Sequence, residues 1–247
     1  MSLAPPPRVR KLQDALHAKA KGSPDYRFYA LYDKVYRVDV LSYAYQRSRE
    51  NNGAAGVDNQ TFADIEAYGV NRLLSELAQE LRAKSYRPQA VRRAWIPKAD
   101  GGQRPLGIPT IKDRVVQTAA MLVLEPIFEA DLPPEQFAYR RGRDAREAVK
   151  AVRALLASGH TQVVDADLKG YFDSLPHPEL LKAVARRVSD KYMLHLVKMW
   201  LKAPVQEMKR REDVQKPPDS DGPKDRGAPQ GSPISPLLAN LYMRRFI

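Results

Sequence analysis

The stretch VVDADLKGYFDSLPH, residues 163–177, gathers Asp165, Asp167 and Asp173 behind an apolar pair, with Tyr171 and Phe172 between them. Read as extended from Val163 to Leu168, it puts Asp165 and Asp167 on one face and Val164, Ala166 and Leu168 on the other. Neighbouring carboxylates repel, so a strand end before the Lys169-Gly170 turn suits them where a divalent cation or solvent neutralises the pair. The local pattern fits a cation site and equally a charged strand edge that discourages aggregation.

Three further stretches carry chemistry. In IPKADGGQRPLGIP, Lys98 and Arg104 flank a tight turn, so an ammonium and a planar guanidinium can converge on one point, as binding a triphosphate requires. An edge hairpin with two exposed cations reads the same way. In APQGSPISP, Gln230 sits on a Pro-Gly-flanked turn ahead of a helix, a rigid mount for an amide facing a sugar or base edge, and Gly231 permits close backbone approach. AYRRGRDAREAV (138–149) offers arginines for backbone phosphates, or simply a surface helix start.

The elements that must position these residues form an α+β pattern. Helices are expected over 8–21, 25–49, 64–82, 112–130, 144–157, 178–188 and 189–202, with a last one from Ser235 bearing Leu238, Leu241, Tyr242 and Arg245 at helical spacing. Residues 92–110 read as a hairpin whose prolines place it at a sheet edge, and 162–168 as a strand. Residues 51–61 and 211–227 read as loops.

The chain has 247 residues, 43% of them apolar, enough for a sizeable core. It contains no cysteine, which excludes disulfides and thiolate zinc sites. The longest apolar run, AAMLVLEPIF (119–128), is interrupted by Glu125 and Pro126 and is too short for a bilayer. The start, MSLAPPPRVRKLQ, has no apolar signal-peptide core, so the expected setting is cytoplasmic and nucleoid-associated, without a membrane. Net charge is +12. Residues 82–114 hold nine basic side chains against Asp100 and Asp113, a net of +7, and residues 137–153 hold six against Asp144 and Glu147, a net of +4. Such clustering is an electrostatic footprint for a polyanion, most commonly nucleic acid.

In order along the chain, AAGVD, WIPKADGGQRPLGIPTIKDRVVQ, LEPIFE, AYRRGR, DADLKGYFDSLPH and RGAPQGSPISPLLANLYM resemble the reverse transcriptase domain of group II intron-encoded proteins. The resemblance covers about residues 50–247, and 8–49 are similar to that family's amino-terminal extension. It implies the fingers and partial palm of a right-hand polymerase: a helical extension over 1–49, fingers over 50–160 and palm over 161–247.

The family pattern, carried over residue by residue, implies that Asp167 is the first catalytic aspartate and that it holds Mg²⁺ together with the Leu168 carbonyl. It implies that Phe172 excludes a ribose 2'-hydroxyl, that Lys98 and Arg104 hold the incoming triphosphate with Arg92 on the same surface, and that Gln230 lies over the nucleotide sugar. Asp165 stands outside the catalytic pattern, and Asp173 and His177 are expected to order the turn. The implied reaction joins a DNA primer to deoxynucleoside triphosphates on an RNA template, with intron RNA as partner and two Mg²⁺ ions about 4 Å apart. Intact relatives supply further acids from a Y-x-D-D hairpin; no such tetrapeptide occurs in these 247 residues, and the expectation is a truncated chain that does not polymerise alone. Two other readings share the motifs: a non-enzymatic RNA-binding fragment, and a domesticated or CRISPR-associated relative.

Overall fold

The computed structural model describes residues 3–97, 101–207 and 225–246. α1 (Pro7–Gly22) starts on a proline in its first turn, where the missing N–H costs nothing. The single helix expected over 25–49 is instead an extended entry followed by α2 (Tyr32–Val35) and α3 (Val38–Glu50). The cause is tertiary: Phe28 spends its main-chain groups on a distant junction, its N–H donating to Arg187 O at 2.7 Å and its carbonyl accepting from Ser189 N at 2.8 Å. Arg37, at φ −63°, ψ 136°, then separates the two helices.

The helix expected over 64–82 is also divided. α4 (Phe62–Tyr68) opens with a capping box in which Thr61 and Asp64 exchange hydrogen bonds, and stops at Gly69, whose φ of 106° no helix accommodates. α5 (Val70–Arg82) resumes with Leu74, Leu77, Ala78 and Leu81 buried. The hairpin forms as expected: β1 (Val91–Pro97) pairs antiparallel with β2 (Gln103–Ile108), Arg92 opposite Ile108 and Ile96 opposite Arg104. Pro105 lies on β2, an edge strand where a missing N–H is tolerated.

α6 (Ile111–Glu129) is the buried centre of the molecule, with α1, α2, α3 and α11 (Ser235–Met243) packed against it. Pro126 in its last turn cannot donate to Leu122 O. Gln13 Nε2 of α1 makes that bond instead, at 3.1 Å, and His17 Nδ1 meets Pro126 O at 3.0 Å. At the other end, Asp113 is buried and accepts from Tyr86 Oη at 2.6 Å, Thr110 Oγ1 at 2.8 Å and Gln89 N at 3.1 Å. Burial holds its carboxyl above the usual range despite these donors. Tyr86 Oη in turn accepts from Trp200 Nε1 at 3.2 Å, which links α6 to α10 (Lys191–Leu201).

α7 (Ala145–Ala157), capped by Asp144, buries none of its residues. The strand expected over 162–168 is not present: residues 161–168 pair with no strand among the described residues and are exposed. A strand is defined by its neighbour, and apolar residues such as Val163 and Val164 cannot supply one locally. The chain continues through α8 (Tyr171–Ser174), α9 (His177–Ala185) and α10 to a short β3 (Val205–Glu207), parallel to β1 in the order β2-β1-β3. β3 carries no sequence signal of its own. The α+β class holds, and no helix among the described residues is long and apolar enough to cross a membrane.

The expected surface arginine Arg140 is a correction. Its side chain is buried at 6% exposure, bonds the Pro133 and Gln136 carbonyls and pairs with Glu129. Replacing Arg140 with Ala strands Glu129 and both carbonyls and is expected to cost about 3 kcal/mol, whereas Arg141→Ala on the exposed side of the same turn stays within about 0.5 kcal/mol. Tyr86→Phe leaves Asp113 and Trp200 each short of a partner, a loss of about 2 kcal/mol and about 4–8 °C in melting temperature. Thermal melts followed by circular dichroism check both; equal melts for Arg140→Ala and Arg141→Ala would contradict the buried ion pair.

Candidate functional site

The turn around Gln230 joins two other candidate stretches through main-chain hydrogen bonds. Gly107 N on β2 donates to Gln230 O at 2.6 Å, Ala228 N to Phe172 O at 2.8 Å, and Gly227 N to Leu175 O at 2.7 Å. Glycine makes the approach possible. A Cβ at Gly231, whose φ is 110°, would stand 2.9 Å from Gly107 O, and one at Gly107 would stand 2.7 Å from Val91 Cγ1. The strand of Arg104, the turn of Phe172 and the turn of Gln230 therefore form one backbone-laced unit.

Within it, α8 follows the left-handed Gly170, at φ 62°. Tyr171 anchors this single turn to α11, its hydroxyl donating to Ala239 O at 2.7 Å, and burial pushes that hydroxyl up to about 12. The Phe172 ring is half-buried and meets Tyr171 and Tyr139 edge-on, at centroid separations of 5.9 and 6.1 Å. Tyr139 holds a left-handed φ of 55° in a turn fixed by Arg140 and by Asn240 Nδ2, which donates to Ala138 O at 2.8 Å. Its contact with Phe172 is invisible in the sequence, where the two lie 33 positions apart.

His177 is buried. Its Nε2 faces Gly227 O at 2.7 Å and must carry the proton, so the ring ties α9 to the Gln230 turn. That agrees with its expected ordering role. Asp173 is exposed and its N–H closes the turn on Gly170 O.

The side chains of the other expected site residues make none of these bonds. Arg104 is exposed on β2 and Lys98 lies outside the described residues. Arg92, on β1, turns its Nε to Ala55 O at 2.9 Å, while buried Arg114 reaches Ala54 O; the two guanidiniums fix the 51–61 loop, and burial lowers the Arg114 pKa. Gly56 permits the loop to lie on Thr110, since a Cβ there would meet Thr110 Cα at 2.6 Å. Part of the basic excess is thus spent inside the protein: Arg114 and Arg140 are internal, and the partly exposed Lys112 is paired with Glu80 at 2.7 Å.

Asp165, Asp167 and Leu168 lie on the exposed 161–168 segment. Asp167 and the Leu168 carbonyl are hard oxygen donors of the type magnesium takes. They do not complete a site: no group of three metal-ligating side chains occurs among the described residues.

Residues 96–247 match the family model for reverse transcriptase (RNA-dependent DNA polymerase). Protein YkfC of Escherichia coli is 32% identical over 96% of this chain and 61% of its own length. Group II intron-encoded protein LtrA of Lactococcus lactis is 32% identical over 87% of this chain and 34% of its own, and nuclear intron maturase 2 of Arabidopsis thaliana is 33% identical over 38% of the chain and 13% of its own. The chain thus spans about three fifths and one third of the first two. With the match covering more than half of its residues, the chain belongs to the reverse transcriptase family, in the company of the group II intron-encoded proteins.

Proposed function

We propose that this chain carries the nucleotide-handling part of an RNA-directed DNA polymerase of the group II intron type, in the fingers and part of the palm of a right-hand fold, and contributes to binding and splicing of an intron RNA. The division is an amino-terminal helical extension over 1–49, fingers over 50–160 and palm from 161. One observation carries the reading: main-chain bonds from the Gln230 turn reach both Gly107 on the strand of Arg104 and, through Ala228, the carbonyl of Phe172. Three residues 126 positions apart along the chain from first to last, each matching a nucleotide contact of the family, sit on one rigid frame.

On this reading the exposed Arg104 guanidinium, with Lys98, grips the phosphates of a deoxynucleoside triphosphate, a planar fork against tetrahedral oxygens. Phe172, held edge-on by Tyr139 and Tyr171, closes the space a ribose 2'-hydroxyl needs, and Gln230 orients the sugar from its rigid turn. Arg92 supports the same surface indirectly by fixing the 51–61 loop. Asp167 and the Leu168 carbonyl are the oxygen donors toward magnesium, which when bound neutralises charge on the attacking and leaving oxygens. A single aspartate cannot hold a pair of such ions, which favours a second reading for residues 1–247 by themselves: RNA binding without polymerisation.

Three outcomes are expected. Ultraviolet crosslinking of radiolabelled deoxythymidine triphosphate to the purified chain falls about ten-fold in Arg104→Ala, the loss of a charge-assisted bidentate contact; undiminished crosslinking removes Arg104 from the site. Purified residues 1–247, given an RNA template, a DNA primer, deoxynucleotides and magnesium, yield no template-dependent extension; extended primer would show that the acids present suffice. RNA affinity declines steeply from low to moderate salt as condensed counterions are released, and reversing charge at Arg141 and Arg143 flattens the slope of log affinity against log salt by about 2–4. An unchanged slope contradicts a phosphate role for that turn.

A further inference from the structure

Away from the Gln230 frame, an open groove of about 460 Å³ lies between residues 29–36, the end of α5 and the start of α10. Its floor is aromatic. The Tyr32 ring meets Tyr36 at 5.7 Å and Tyr192 at 5.6 Å, and the Tyr32 hydroxyl is committed to Leu81 O at 2.7 Å. Cations lie over these rings: Lys84 Nζ is 3.9 Å from the Tyr192 centroid, Lys191 is 5.1 Å from it, and Arg82 is 5.7 Å from that of Tyr36. Lys84 follows the C-cap of α5 with a left-handed φ of 61°, the helix closed by Ser85 N donating to Glu80 O at 2.9 Å, and this ending aims its side chain back over Tyr192. Tyr29 stands at the rim, 71% exposed, its side chain with neither a hydrogen bond nor a ring partner among the described residues.

The two acids of the groove are already occupied. Asp33 pairs with Lys34 at 3.1 Å. Asp190 accepts from Leu31 N and Tyr32 N at 2.8 Å through one oxygen, and from Tyr192 N and Met193 N at 3.0 and 3.2 Å through the other. What else faces the groove is a set of tyrosine rings with ammonium and guanidinium groups beside them, and the half-exposed Asp33 carboxylate is neutralised by Lys34. An acidic peptide has no use for the ring faces.

We propose that this groove binds unpaired nucleic acid, with bases stacked on Tyr29 and Tyr36 and phosphates met by Arg82, Lys84 and Lys191. Every base has a π face, so such a surface accepts a strand without reading its sequence, and cations beside the rings track the backbone. The site shares no residue with the nucleotide frame and stands or falls independently of it.

The test is fluorescence anisotropy of the purified chain with labelled decamers: oligo(U), oligo(dT) and an abasic sugar-phosphate strand. Both base-bearing strands are expected to bind and the abasic one to bind at least ten-fold more weakly. Tyr29→Ala and Tyr36→Ala should each cost about ten-fold with bases present and leave the abasic strand unaffected, Tyr29→Phe should bind as the parent does, and Lys84→Ala should weaken all three. Unchanged melting of Tyr29→Ala excludes misfolding as the cause. Equal binding of the abasic strand, or parental affinity in both alanine variants, overturns the proposal. So does Tyr29-dependent binding of an oligoglutamate peptide with none of either base-bearing strand, which would identify an acidic protein partner. Loss of decamer binding in Arg104→Ala with the tyrosine variants unaffected would put the strand on the hairpin, leaving the nucleotide reading intact and the groove without a ligand.

Discussion

The architecture depends on burying α6 on nearly every side. A helix surrounded by protein cannot send unsatisfied groups to water, so the polar groups at its two ends call for neighbours. Pro126 removes one backbone bond from the last turn, and α1 must lie where Gln13 and His17 can replace what that turn lacks. Asp113 at the first turn requires Tyr86, and through it Trp200, to be drawn in from α10. Arg114, one residue further, pairs with no carboxylate among the described residues and takes the Ala54 carbonyl instead, which pulls the 51–61 loop onto the helix. The amino-terminal helix, the loop and α10 are all positioned by what α6 needs.

A second tie crosses the molecule at the junction of α9 and α10. Arg187 is buried, donates to the carbonyls of Ala20, Ser23 and Pro24, and pairs with Asp131 at 3.3 Å. Its neighbour Asp190 caps α2 and α10 at once. These contacts explain why residues 25–31 do not continue as helix: the backbone there serves Arg187, Ser189 and Asp190. They also bring Tyr32 up against Tyr192, with Tyr29 and Tyr36 lining the same groove, so the aromatic groove is a by-product of closing the fold between segments about 160 residues apart.

Legibility in the sequence followed the range of the forces involved. The β1–β2 hairpin was readable because its turn and its prolines act locally, and α7, α10 and α11 because periodicity and caps such as Asp144 and Asp190 lie within one helix. Gly69 was visible as a residue but not as a break, since a glycine inside an apolar period is often tolerated and only its φ reveals the stop. Arg140 looked like its neighbours Arg141 and Arg143; burial against Glu129 is a property of the turn's path, which charge counting does not contain. The expected strand over 162–168 failed for a related reason. Alternation describes how a strand presents its side chains, whereas pairing requires another segment, and among the described residues none lies beside it.

The candidate site divides along the same line. The backbones of Arg104, Phe172 and Gln230, the residues proposed to meet a nucleotide, are tied together by main-chain bonds and by glycines that let backbones touch. Asp167 has no such mount: Gly170 separates it from the braced turn of α8, and its segment is exposed throughout. A carboxylate that must hold a cation to within tenths of an ångström needs rigid support. The frame that reaches Phe172 therefore stops short of the acid five residues before it, and a segment pairing with 163–168 is what would carry that rigidity to Asp167.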